Sequence, residues 1–109
     1  MKISIESTTD TERKQKSYLL DGELDVHQAK ELRTRLLEDL EEGGWMYVLD
    51  MSRISYLDSS GLGMLVYLKK EIIRHGGRLN LTGLQTQVAN VFCLTRLDEF
   101  FELPPKAVP

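Results

Sequence analysis

Gly43-Gly44-Trp45-Met46-Tyr47-Val48-Leu49-Asp50 is the stretch on which the fold turns. A short, continuous apolar run between glycines and an aspartate reads as a strand, central in its sheet and covered on at least one face. Upstream, Val26, Ala29, Leu32, Leu36, Leu37 and Leu40 recur at spacings of three and four. That is the apolar stripe of a helix, ended by Gly43-Gly44. Downstream, Met51 to Leu57 carries the chain along the end of the sheet to a second helix, Ser60 to His75. In this helix Leu62, Leu65, Val66, Lys69, Ile72 and Ile73 give the period, and Met64, Tyr67 and Leu68 broaden the apolar surface. A strand set between two helices favours parallel pairing and right-handed crossovers.

The flanks extend the pattern. Met1 to Glu6 alternates as a strand with Ile3 and Ile5 on one face, Ser7 to Gln15 is a polar turn, and Lys16 to Leu20 is a strand stopped by Asp21-Gly22. Asp25 caps the first helix, with Gln28 at the third helical position as in a capping box. Arg78 to Leu81 is a short strand, and Gln85 to Thr95 a third helix. Asp98 to Leu103 reads as an edge strand stopped by Pro104-Pro105, before a flexible KAVP tail. The order is β-β-α-β-α-β-α-β. The expectation is a single α/β domain over residues 1–109, with its core in about residues 3–103.

With 109 residues, 41% hydrophobic and 28% charged, the composition is that of one globular domain. The 14 basic and 17 acidic side chains give a net charge of −3, with no basic block to suit nucleic acid or an anionic membrane. No apolar run approaches the roughly 20 residues of a membrane span. The start, MKISIESTTD, lacks the pattern of a secretion signal. A cytoplasmic protein is expected. Cys93, the single cysteine, forms no intrachain disulfide and reads as a small buried hydrophobe.

Asp58-Ser59-Ser60-Gly61-Leu62-Gly63 is the least generic stretch. It enters the second helix with three potential caps and two glycines that let another backbone approach. These residues could serve as caps alone, as an anion cradle, or as a phosphorylation switch. The cradle fails both named nucleotide motifs: position 66 is valine, and no Gly-Lys-Ser/Thr follows. A phosphoserine would take the net charge from −3 to about −5 at one exposed point. The helix terminus would tolerate the anion, whereas Asp58 and an acidic partner surface would repel it.

Other candidates have simpler readings. Glu23, Asp25 and His27 are badly spaced for a metal site, since residues two apart on a helix do not face each other. His75 suits a helix C-terminus. Neither histidine is tied to a serine, so no catalytic triad can be built. Trp45 and Tyr47 belong to the core rather than to base stacking. The acidic Glu38, Asp39, Glu41, Glu42 cluster reads as a solvated helix end with no assigned function. No catalytic residue, metal or cofactor is expected. The wide apolar surface of the second helix is compatible with a monomer or a weak dimer.

Gly22-Glu23-Leu24-Asp25 before the first helix, together with Asp58-Ser59-Ser60-Gly61-Leu62-Gly63 before the second, closely resembles the anti-sigma factor antagonists, which are STAS domains. The resemblance covers roughly residues 3 to 103. It implies a small mixed sheet with helices packed mainly on one face. It also implies an unphosphorylated form that binds an anti-sigma factor with serine kinase activity and so releases a sigma factor. The kinase would then phosphorylate Ser59 and a serine phosphatase would restore it. On the same resemblance Asp58 orients the loop, Asp25 contacts the partner or positions the loop, and Ser60 mainly caps the helix. Gly61, Leu62 and Met64 are the candidates for direct contact. STAS domains also occur in stressosome scaffolds and transporter tails, so a scaffold or transporter-associated domain without a switch is the alternative.

Overall fold

Polarity does not exclude a strand at the edge of a sheet, where both faces and one flank meet water. The computed structural model describes residues 3–103. Its first strand, β1 (Ser4–Asp10), runs through the polar stretch expected to be a turn, and all but Ile5 of its residues are exposed. The hairpin closes over residues 11–14, with Lys14 in the left-handed region at φ 53°. Strand β2 (Gln15–Leu24) pairs antiparallel with β1. Asp21-Gly22 does not stop β2. Gly22 takes φ 137° within the strand and stays paired with Ile54.

Helix α1 (Val26–Glu38) leads to β3 (Met46–Leu57), then α2 (Ser59–Arg74), β4 (Arg78–Thr82) and α3 (Thr86–Leu94). The sheet order is β1-β2-β3-β4, with β2–β3 and β3–β4 parallel. This is the mixed sheet expected, with the three helices on one face. Toward them the sheet turns Tyr18, Leu20, Tyr47, Leu49, Leu79 and Leu81, all buried.

Strand β3 is far longer than the apolar run that announces it. Between the Leu19/Asp50 and Asp21/Arg53 pairs, β3 advances by one residue more than β2, and it does so again between Gly22/Ile54 and Glu23/Tyr56. Each bulge resets the alternation. The buried residues of β3 therefore run Tyr47, Leu49, Met51 and then Ile54 and Leu57 at spacings of three. No search for alternation finds a strand in that second half.

Helix α1 ends at Glu38, before the glycines. Gly43 (φ 103°) and Gly44 (φ 83°) then make the turn into β3. Two of the four acidic residues there, Asp39 and Glu41, are structural. The Asp39 carboxylate accepts from Tyr18 Oη at 2.8 Å and Arg35 Nε at 3.2 Å. Glu41 pairs with Lys16 at 2.7 Å, and its amide donates to Tyr47 Oη at 2.8 Å. Burial and the adjacent Asp39 push the Tyr18 phenol well above its ordinary pKa. The end of α1 is thus stitched to β2 and β3.

Residues 98–103 are not an edge strand. They form a helix-like turn in which the amide of Phe101 donates to Leu97 O and that of Leu103 to Asp98 O. A strand would point Phe100 and Phe101 to opposite faces. The turn brings both to the ammonium of Lys69, which also donates to the Phe100 carbonyl. Phe101 is buried edge-on against Phe92 at 5.2 Å. Cys93 is only half-buried, beside the exposed Leu94. Trp45 and Tyr47 are buried as expected. The expected Pro104-Pro105 stop and KAVP tail lie outside the described residues, as does the Met1-Lys2 start of the first strand.

Candidate functional site

Two parallel strands that end side by side must deliver the loops after them side by side. Leu24 closes β2, Leu57 closes β3, and the two are paired in register. Each is followed by an aspartate that caps a helix. Asp25 Oδ1 accepts from the amides of His27 at 3.0 Å and Gln28 at 2.9 Å. Asp58 Oδ1 accepts from Ser60 at 3.0 Å and Gly61 at 3.1 Å. Each cap satisfies two of the amides that a helix start leaves unpaired. The Asp58 amide donates to Leu24 O at 3.4 Å and joins the two loops. Gln28 turns its Oε1 to the amide of Ile3, which ties β1 to α1.

Gly61 locks the first turn of α2 onto β2. A Cβ at this position would lie 2.3 Å from Leu24 O and 2.8 Å from Leu57 Cδ1. Ser59, the first residue of α2, is exposed, and so is Ser60. Among the described residues neither hydroxyl has a hydrogen-bond partner. Ser60 therefore does not cap with its hydroxyl; its amide is the group being capped. Leu62 and Met64 keep only 6% and 8% of their surface and join the core cluster, so their reach toward a partner is small.

Other residues supply the exposed apolar surface here. Val26 (53% exposed) directly follows the Asp25 cap, Tyr56 (47%) closely precedes the Asp58 cap, and Tyr67 (43%) lies about two turns along α2. Val26 fits the stripe of α1 but lies at the helix start, beyond the cover of its neighbours. Tyr56 faces out because of the second bulge in β3. Of Met64, Tyr67 and Leu68, expected to broaden the apolar surface of this helix, only Tyr67 is exposed, off the buried line of Leu65, Leu68 and Ile72. Val26 and Tyr67 line one groove between α1 and α2, together with Ser60, Gly63 and Met64.

The two caps share one hydrogen-bond design. The amides of Gln28 and His27 hold the Asp25 carboxyl below its ordinary 3.8. A depressed folded-state pKa contributes stability that is present above the unfolded value and lost as pH falls through the folded one. Asp25 thus contributes to a loss of stability below the ordinary value of 3.8, which Asp25→Asn should reduce in acid denaturation curves while keeping the cap. At neutral pH, Asp58→Ala should cost about 1 kcal/mol in a urea melt by removing the cap of α2.

Among the described residues no group of three His, Cys, Asp or Glu side chains could hold a metal, and no helix is long and apolar enough to cross a membrane. A profile described as "STAS domain" matches residues 6–107. The chain belongs to the STAS domain family. As a STAS domain it is 33% identical over 86 residues to the anti-sigma-B factor antagonist of Bacillus subtilis (strain 168), covering 79% of this chain and 78% of that one. The anti-sigma factor antagonist SpoIIAA in its unphosphorylated form has a similar structure, with TM-score 0.70, 25% identity and coverage of 88% of this chain and 84% of that one. The same Bacillus cell fate determinant in its phosphorylated form gives TM-score 0.68 at 25% identity, covering 88% and 86%.

Proposed function

We propose that this STAS domain is an anti-sigma factor antagonist working by partner switching. Its unphosphorylated form binds an anti-sigma factor that is also a serine kinase, and so frees a sigma factor. Phosphorylation of Ser59 ends the binding, and a serine phosphatase restores it. The observation that carries this reading is the position of Ser59. It is an exposed, unpaired hydroxyl at the first position of α2, beside the Asp25 loop. The likeness to an antagonist solved in both phosphorylation states supports it.

In this reading the kinase brings the nucleotide and this chain is its substrate, working in the cytoplasm as a binding module rather than a catalyst. Asp58 holds the loop through its cap. Asp25 sits where it can touch the partner, and the Ser59–Gly61 turn forms the centre of the contact.

The test is incubation with ATP and each anti-sigma serine kinase encoded alongside this chain, followed by intact-mass analysis and site mapping. One added phosphate at Ser59, with loss of co-elution, is expected. No modification and unchanged co-elution would move the assignment to a constitutive scaffold domain.

A further inference from the structure

The two glycines of the Ser59 motif have opposite explanations. Gly61 is required by the fold, because a side chain there would collide with the backbone of Leu24. At Gly63 an added Cβ would meet nothing within 4 Å. Glycine is among the poorest helix formers, so an exposed helical glycine with open space around it is not explained by packing within the chain. It leaves room for a backbone from outside.

Gly63 lies in the groove between α1 and α2. The apolar part of that groove is Val26, Met64 and Tyr67, and its rim carries Lys30 and Arg33. No carboxylate lines it. Lys30 and Arg33 are exposed and make no ion pair among the described residues. Lys30 also borders the neighbouring groove between α1 and β1, where Glu31 and Glu38 stand, whereas Arg33 faces only this one; Asp25 and Asp58, at the two helix starts, are engaged by their caps. The groove is therefore apolar in its floor and cationic at its rim, in a chain whose net charge is −3.

We propose that this groove takes an acidic segment of the anti-sigma factor. Its backbone passes over Gly63, an apolar side chain rests on Val26, Met64 and Tyr67, and carboxylates meet Lys30 and Arg33. The inference rests on the partner-switching reading and adds the surface and the chemistry of the contact. Charge complementarity and continuity with the Ser59 turn, through Ser60 at the groove's end, both favour this occupant. The switch then has a local cause: a phosphate on Ser59 stands next to an acidic occupant and repels it.

Calorimetric titration of the purified kinase found by the mapping experiment tests this, using Gly63→Leu, a Lys30→Glu/Arg33→Glu double variant and Ser59→Asp beside the parent. Gly63→Leu should fill the groove and weaken binding by about 100-fold. The double variant should weaken it by about 10- to 100-fold and flatten its salt dependence. Both should keep the parent's circular dichroism, and the double variant guards against a folding defect in the first. If both bind like the parent while Ser59→Asp does not, the groove is not the docking site and the partner reading stands. If the parent binds no kinase, both readings fall. A concentration-dependent dimer of the chain alone, lost in Gly63→Leu, would assign the groove to a second copy and overturn the proposal.

Discussion

Gly61→Ala is expected to be about 2–3 kcal/mol less stable than the parent, with a Tm lower by on the order of 10–20 °C. The methyl group would sit 2.3 Å from the Leu24 carbonyl oxygen and 2.9 Å from Leu24 Cβ. The oxygen belongs to the backbone of Leu24, which is paired with Leu57 of β3 and accepts the Asp58 amide, so it cannot swing away as the tip of a flexible side chain would. Alanine's better helix propensity, about 1 kcal/mol, offsets only part of the clash. Relief requires the first turn of α2 to move off β2, which pulls the Asp58–Leu24 link and Ser59 with it. Gly63→Ala is the internal control. With open space at its Cβ it should match the parent or gain up to about 1 kcal/mol. Urea melts of the pair decide the matter, and equal stability of Gly61→Ala and parent would contradict the close approach described here.

Phosphorylation of Ser59 is expected to weaken partner binding by at least about 100-fold, or about 2.7 kcal/mol, while leaving the Tm close to the parent's. The modified residue adds about −1.5 to −2 charges at the first position of α2. The dipole at a helix start favours an anion, which offsets within the chain the repulsion from the nearby Asp58 carboxylate. No such compensation exists across an interface that buries the phosphate against a partner. Ser59→Ala should bind as tightly as the unmodified parent and resist switching, whereas Ser59→Asp should lie between the two states because it carries less charge. A large drop in Tm on phosphorylation would show instead that the switch acts by unfolding the loop.

Helix stripes were the legible part of this sequence. The stripes of α1 and α2, the Asp25 cap and the cores of the four sheet strands can be read from period and turn chemistry, whereas Asp58 was one of three potential caps of α2 and the mixed one-sided sheet was implied by the resemblance to STAS domains. The failures share a physical origin in context. Ser7–Asp10 is polar because it lies at a sheet edge, not because it turns. Gly22 bends a strand that it was expected to end. The second half of β3 is hidden by two bulges that change its facing residues from every second to every third. Phe100 and Phe101 look like strand residues but meet around Lys69, a contact that depends on a helix about thirty residues away in sequence. At the site, the motif pointed to the exposed serine. It did not point to Val26 and Tyr56, whose exposure follows from a helix start and a bulge.

The pairing of Leu24 with Leu57 has a further consequence. The surface around Ser59 is assembled from two loops far apart along the chain, and only the zipped parallel pair β2–β3 brings them together. A nascent or unfolded chain displays the serine but not the Asp25 loop beside it. An enzyme that reads the composite surface reads conformation as well as sequence, so the mark it writes counts only molecules that have finished folding.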